Sequence, residues 1–344
     1  MVAGWARMVA AGAFVLAGAA ARAEEPSAEL IAKAKAEGRL VYYTDLIIDQ
    51  IVRPLVSAFE AKYGVKVEYS RADSQDTIIK LLGEHRARRM QADVFGLTSG
   101  LQALIDGGAV RRFSPANAAA IPAHFQDPDH YWISTNYYVT APAVNTDLVP
   151  EKDRPRKLAD LLDPKWKDRM VWKPNDLSGA PGFIGNVLRT MGDETGLDYL
   201  RKLSKQGVKS FGGSARAVLD QVIAGEYPLA LQVFSHHSAL SASKGAPSRW
   251  LRLEEPPMVQ MTLVTLTTGS RSPNAAQLFV EFMLSKQGQE LFRDASYLPA
   301  RADTPPTFPE LSPVTGGFKA NFFSPADTAR DYERWAKIYI DLFR

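Results

Sequence analysis

Cysteine is absent from all 344 residues. Disulfides, thiolate metal centres and cysteine nucleophiles are therefore excluded, and stability must come from an ordinary core, which a chain of this length can build. An excess of one charge is missing too. Lys and Arg total 41 against 38 Asp and Glu, a formal net charge of +3. No global field argues for nucleic acid or an anionic membrane surface. After Ala23 no apolar run reaches the length of a membrane span. Low-complexity tracts and short repeats do not occur. There is no P-loop, no HExxH and no Gly-x-Ser-x-Gly. Gly179-Ala180-Pro181-Gly182-Phe183-Ile184-Gly185 has the wrong spacing for a dinucleotide fingerprint, and Pro181 suits a helix start.

What is present begins with an export signature. Arg7 supplies positive charge, Met8 to Ala20 is rich in Ala, Val and Leu, and Ala21-Arg22-Ala23 fits a small-x-small cleavage pattern. The expectation is a signal peptide over residues 1–23, cut after Ala23 in a periplasmic protein. The mature chain would begin Glu24-Glu25-Pro26. Losing Arg7 and Arg22 would take its net charge from +3 to +1. That length suits two lobes.

The mature chain alternates strand and helix signals. A helix over Glu29 to Glu37 stops at Gly38, and Arg39 to Thr44 is a short β-rich run. Ile51, Val52, Leu55, Val56 and Phe59 fall at helical spacing, closing near Gly64. Val65 to Ser70 is the next strand. Ser74 or Asp76 is the expected cap of a helix carrying Ile78, Ile79, Leu81 and Leu82. Asp93 to Leu97 is a third strand, with Thr98-Ser99-Gly100 at the mouth of a further helix. This βαβαβ order predicts an open, largely parallel sheet covered by helices.

A second stretch repeats the style. Arg169 to Lys173 reads as a strand, Pro174 to Gly182 as a polar loop and Phe183 to Met191 as a helix. Ser214 caps a helix bearing Val218, Leu219, Val222 and Ile223, and Leu229 to Phe234 is another buried strand. Trp132 to Thr146 and Met258 to Thr267 read as two extended crossovers. Asn274 to Arg293 and Tyr332 to Phe343 read as late helices. Two crossings mean that one lobe is inserted in the other: 24–137 with 265–344 form lobe 1, and 138–264 form lobe 2. Hinge closure on a ligand is the natural motion.

Five segments carry a family resemblance in chain order. They are Ala58-Phe59-Glu60 with Gly64-Val65-Lys66-Val67; Ala92-Asp93-Val94-Phe95; Asp163-Pro164-Lys165-Trp166-Lys167-Asp168-Arg169; Gly225-Glu226-Tyr227-Pro228-Leu229-Ala230-Leu231; and Ser272-Pro273-Asn274-Ala275-Ala276 through Ser285-Lys286-Gln287-Gly288-Gln289. Over nearly the whole mature chain the sequence resembles the periplasmic solute-binding proteins of ABC importers, in the branch that contains ferric-ion-binding proteins. The resemblance implies an α/β, two-lobed type 2 periplasmic-binding fold, with two crossover hinge strands between open mixed sheets. It implies a monomer that delivers solute to ABC permease subunits in the inner membrane, with no cofactor, no catalytic residue and no nucleic-acid partner. The ferric site of that branch uses adjacent tyrosines after the Gly-Glu strand, and hard Fe(III) favours anionic oxygen. Here that place reads Phe234-Ser235-His236-His237-Ser238. Gly96-Leu97-Thr98-Ser99 follows the third strand, and the loop Thr44-Asp45 has no histidine. Tyr137-Tyr138 lies in the crossover. Direct tyrosinate coordination is not expected, so no metal ligands are assigned.

The loops expected at the cleft are rich in hydroxyls and amides. The candidate ligand-binding residues are Thr44, Asp45, Arg71, Ser74, Thr98, Ser99, Tyr138, Asn175, Ser178, Gly179, Ser214, Arg216, Ser235 and His236, with Gln75 and Asp176 beside them. Several sit where helices open, and free N–H groups there favour an anion. Arg71 and Arg216 would fork onto a carboxylate or phosphate. Singly, each hydroxyl is explained as well by capping. His236 and His237, if extended, point opposite ways and do not chelate one ion. Trp132, Tyr137, Tyr138, Trp172 and Phe183 are expected to flank the cleft, where rings would stack or hold a cation. A small polar, anionic solute is the first reading. Ferric iron or a ferric chelate, a thiamine-like cation, a receptor feeding a sensor, and an enzyme with His236 or His237 as base are the alternatives.

Overall fold

The computed structural model describes residues 25–344. The signal peptide expected over 1–23 and its cleavage point lie outside the described residues.

The first region builds α1 (Ala28–Glu37), β1 (Arg39–Thr44), α2 (Arg53–Tyr63), β2 (Lys66–Arg71), α3 (Ser74–Arg86), β3 (Val94–Leu97), α4 (Leu101–Asp106) and β4 (Val110–Arg111). β1 lies between β2 and β3, parallel to both. The long strand β5 (Ile133–Asn145) then leads into the second region. That region holds β6 (Met170–Trp172), α5 (Ala180–Met191), α6 (Asp193–Ser204), β7 (Lys209–Ser210), α7 (Ala215–Ile223), β8 (Leu229–Phe234), α8 (Ser235–Ser243) and β9 (Ser248–Trp250). The chain returns along β10 (Met258–Thr267). It ends with α9 (Pro273–Leu284), α10 (Lys286–Asp294), β11 (Leu298–Pro299), α11 (Pro313–Gly316), β12 (Asn321–Phe322) and α12 (Pro325–Phe343).

β5 and β10 are the two crossovers, and they pair antiparallel from Ile133 to Thr140. Beyond that point β5 pairs with β8 instead, while β10 also pairs with β3. The ladder therefore runs unbroken in the order β2-β1-β3-β10-β5-β8-β6-β7. Every residue of β5 and β10 is buried, as expected of central strands covered on both faces.

Apolar residues sort into separate cores on either side of this spine. Tyr42, Phe59, Phe95, Phe279, Phe282 and Phe292 fill the first, with the rings of Phe59 and Phe279 packed edge to face at 4.9 Å. Trp172, Phe183, Leu200, Trp335 and Tyr339 fill the second. A smaller cluster of Val171, Val218, Val222 and Val233 seats α7 on β8 and β6.

Four local expectations are corrected. The C-terminal helix, grouped by sequence with residues 265–344 of lobe 1, packs on the second core: Trp335 and Tyr339 are buried there, and Gly185 of α5 leaves room for the Trp335 ring, which a Cβ would meet at 2.7 Å. An amphipathic pattern states which face is buried, not which core receives it. The single helix over 274–293 is two helices broken at Ser285, whose hydroxyl accepts from Gly288 N and caps α10. The helix expected from Phe183 begins earlier, at Ala180. Ser74 does not cap α3. It is the first helical residue, Asp73 holds the cap position without a side-chain bond, and the Ser74 hydroxyl is used elsewhere.

Candidate functional site

At the carboxyl end of β1 the Thr44 hydroxyl accepts from Leu46 N at 3.1 Å, bending the chain into a tight turn. The turn aims the Asp45 carboxylate at the openings of α3 and α4. Its Oδ2 accepts from Ser74 Oγ at 2.7 Å, from Thr98 N at 2.8 Å and from Thr98 Oγ1 at 2.7 Å. Its Oδ1 is buried and has no partner. Burial pushes this carboxyl up from its ordinary value, against the bonds from Thr98 and Ser74, which pull it down. Arg71, exposed at the end of β2, donates through Nε to the Asp45 carbonyl at 3.3 Å.

The spine supplies the floor. Asn136 and Tyr138 are two apart on β5 and so project to one face. The Tyr138 hydroxyl shares a hydrogen bond with Thr262 Oγ1 of β10 at 3.1 Å, and Asn136 Nδ2 is buried without a partner. Tyr297, just before β11, lays its ring 5.7 Å from that of Tyr138. Burial holds both above the ordinary phenol value, helped at Tyr138 by the Tyr297 phenol and then Asp45, and at Tyr297 by Asp45. Both stay protonated at neutral pH.

The second region adds the start of α8. β8 ends at Phe234, which gives α8 no side-chain cap. Ser235 and His236 are buried. Ser235 Oγ, both His236 nitrogens and His237 Nδ1 have no hydrogen-bond partner. The His236 ring lies 5.4 Å from Tyr138, 5.6 Å from Tyr297 and 4.2 Å from His237. Burial, then His237 and Arg216, hold His236 well below its ordinary value, and burial with Arg216 pushes His237 down to about 4. Both imidazoles are neutral at pH 7. Arg216, in the first turn of α7, is half-buried and bonded to Asp220 at 2.9 Å.

The structure thus gathers Thr44, Asp45, Arg71, Ser74, Thr98, Tyr138, Arg216, Ser235 and His236 around the β5–β10 spine. Ser99 opens α4 beside them. With Thr98, Leu177, Gln260 and Phe323 it borders a cavity of about 20 Å³, room for little more than one water. Gly100 opens the same helix with φ +74°, a left-handed conformation that glycine takes freely.

The remaining candidates have local tasks. Ser178 donates through N and Oγ to Asp176 Oδ1 at 2.8 and 2.6 Å, and Lys173 pairs with the other oxygen of Asp176. A Cβ on Gly179 would collide with the carbonyls of Lys173 and Asn175. Glycine there serves its own loop rather than the approach of a ligand. Asn175 is exposed, and Ser214 caps α7 by accepting from Ala217 N at 3.2 Å. Trp172 and Phe183, expected beside the cleft, pack on each other in the second core. Tyr137 turns to the opposite face, stacking on Phe125 and donating to Ser312. The histidine pair is not extended: both residues lie in the first turn of α8, where neighbours splay by about 100° rather than opposing.

Asn136, Thr262 and Tyr297 were not among the sequence candidates. Asn136 was legible, because it alternates in step with Tyr138 along the crossover. Tyr297 had no signal. It follows a helix break and reaches the site only through the pairing of β11 with β5. Among the described residues no group of three or more His, Asp or Glu converges as a metal site.

Residues 90–315 match the family of bacterial extracellular solute-binding proteins. An uncharacterized protein of Haemophilus influenzae is 29% identical over 278 residues, covering 75% of this chain and 76% of that protein. Iron-bound HitA from Pseudomonas aeruginosa superposes with a TM-score of 0.74 at 22% identity, over 88% of this chain and 99% of that one. The periplasmic binding protein AfuA from Actinobacillus pleuropneumoniae, with fructose-6-phosphate bound, superposes with a TM-score of 0.72 at 24% identity, over 88% and 99%. The fold is that of the periplasmic binding proteins, and the family matched over residues 90–315 is one of solute-binding proteins rather than enzymes. This chain belongs to the bacterial extracellular solute-binding protein family, the class that captures solute for ABC import.

Proposed function

We propose that the protein closes its two lobes on a small organic anion in the periplasm and passes it to an inner-membrane permease, after export and cleavage behind Ala23. One observation carries the choice of an anion. The uncapped start of α8 brings together the buried, unpartnered Ser235 Oγ and His236 nitrogens. Arg216 lies close enough to depress both imidazoles, and Arg71 approaches from the first lobe. Free N–H groups at a helix start and two guanidinium forks suit a phosphate or carboxylate. The candidate residues reach this place from both lobes and from the spine between them, the arrangement a closing clamp needs.

Ferric iron is the second reading, and one feature favours it. The oxygens of Asp45, Tyr138 and Tyr297 lie in one neighbourhood with the His236 ring, and HitA is an iron-bound relative in fold. Against it, burial holds both phenols protonated, and the Tyr138 hydroxyl is shared with Thr262.

A thermal-shift screen of the exported protein separates the two. Ligand at about 100 times its Kd stabilises by roughly 2.7 kcal/mol. A shift with organic phosphates or carboxylates that survives chelator supports the anion receptor. A shift only with ferric salt, lost on chelation and accompanied by a visible tyrosinate-to-iron absorption, refutes it.

A further inference from the structure

We infer that the solute selected here is bifunctional: besides its anionic group it carries a hydroxyl or ammonium that donates to Asp45 Oδ1, so that Asp45 decides which anions are accepted. The inference rests on the reading of the cleft as an anion receptor.

The bonding of Asp45 is one-sided. Ser74 Oγ, Thr98 N and Thr98 Oγ1 all fall on Oδ2. The neighbouring hydroxyls bond elsewhere, Thr44 accepting from Leu46 N and Tyr138 sharing a bond with Thr262, and neither reaches Oδ1. Oδ1 is buried with nothing to accept from. A buried acceptor without a donor is costly, and more so when it is charged. Asp45 also shares its surroundings with the anion end of the cleft. Its carbonyl accepts from Nε of Arg71, one of the two guanidinium groups of that end, at 3.3 Å. A simple anion bound there meets a fixed carboxylate and is repelled. A solute that brings its own donor turns that repulsion into a charge-assisted hydrogen bond. A site that must bond a donor rejects analogues lacking it far more strongly than a pocket that measures size.

Three phosphate monoesters of matched size test this by calorimetry on the exported protein: ethyl phosphate, 2-hydroxyethyl phosphate and phosphoethanolamine. We expect at least one donor-bearing ester to bind tenfold or more tightly than ethyl phosphate, and the better of the two identifies the donor as hydroxyl or ammonium. Asp45→Asn sharpens the test. Three donors pin the amide oxygen in the place of Oδ2, so its NH2 would face the cleft and offer a donor where an acceptor stood. In that variant the preference should vanish, read as the ratio of the affinities for the donor-bearing ester and ethyl phosphate. Equal affinity for the three esters in the native protein, or an undiminished preference in Asp45→Asn, would overturn the inference. If Asp45→Asn does not fold, the native comparison still decides. Binding of ethanolamine with no response to any ester would sink the anion reading and leave the role of Asp45 standing. No binding of any of the four probes would sink both.

Discussion

Acidification should weaken this fold through the histidines at the start of α8, and an anionic ligand should oppose the loss. Unfolded, an imidazole titrates near about 6.5. Folded, His237 is pushed down to about 4, and His236 is depressed in the same direction. Below pH 6.5 the unfolded chain therefore binds protons that the native site refuses. The stabilisation is whole above about 6.5 and is lost as pH falls toward the folded values. For His237 the loss between pH 7.5 and 5 is roughly 2 kcal/mol, from the ratio of proton binding in the two states. With an unfolding entropy of about 2.1 cal/mol/K per residue, that lowers Tm by roughly 3 °C if the chain melts as one unit. His236 adds in the same direction. His124, half-buried against Phe125 and Phe322, is also depressed by burial and contributes a background. Asp45 opposes the trend: its raised carboxyl protonates first in the native state, so its contribution grows as pH falls. Melting curves from pH 7.5 to 5 for the native protein and His237→Gln test the account. The variant should flatten the profile, and a bound anion, by stabilising imidazolium, should give a larger Tm shift at pH 5.5 than at 7.5. A native Tm that does not fall toward pH 5, or a slope unchanged by His237→Gln, refutes it.

Other substitutions probe separate parts of the structure. Arg71→Ala and Arg216→Ala should each weaken capture of an anion by about tenfold, near 1.4 kcal/mol, read by calorimetry, and unchanged affinity in both removes the arginines from the site. Thr98→Val keeps the shape but deletes the 2.7 Å hydroxyl bond to Asp45. A hydrogen bond to a charged group contributes about 1.5–3 kcal/mol, so urea titration should show a loss of that order. Trp335→Ala empties the seat of α12 on α5 and should cost about 3–5 kcal/mol, whereas a loss below about 1 kcal/mol would mean the C-terminal helix is not part of the second core.

Periodicity along the chain was enough to determine the alternating α/β order, the two crossovers and the short buried strands β1, β3 and β8, because side-chain period and turn residues are local properties. The absence of cysteine excluded whole classes of chemistry without any geometry. That Thr44, Asp45, Ser74 and Thr98 fall together at strand ends and helix openings was also legible, since parallel strands of such a sheet end along one edge. The tertiary structure alone decided what those residues do. Ser74, read as a cap, is a donor to Asp45, because β1 and α3 are brought side by side by the pairing of β1 with β2. Ser178 and Gly179 look like a ligand loop in sequence but close on Asp176 and on their own backbone. His236 and His237 differ from the reading of an extended pair because the helix begins one residue before them. Tyr297 and Trp335 reach their places through contacts between residues far apart in the chain. Such contacts depend on which buried faces fit together, and no local pattern of apolar and polar residues encodes that.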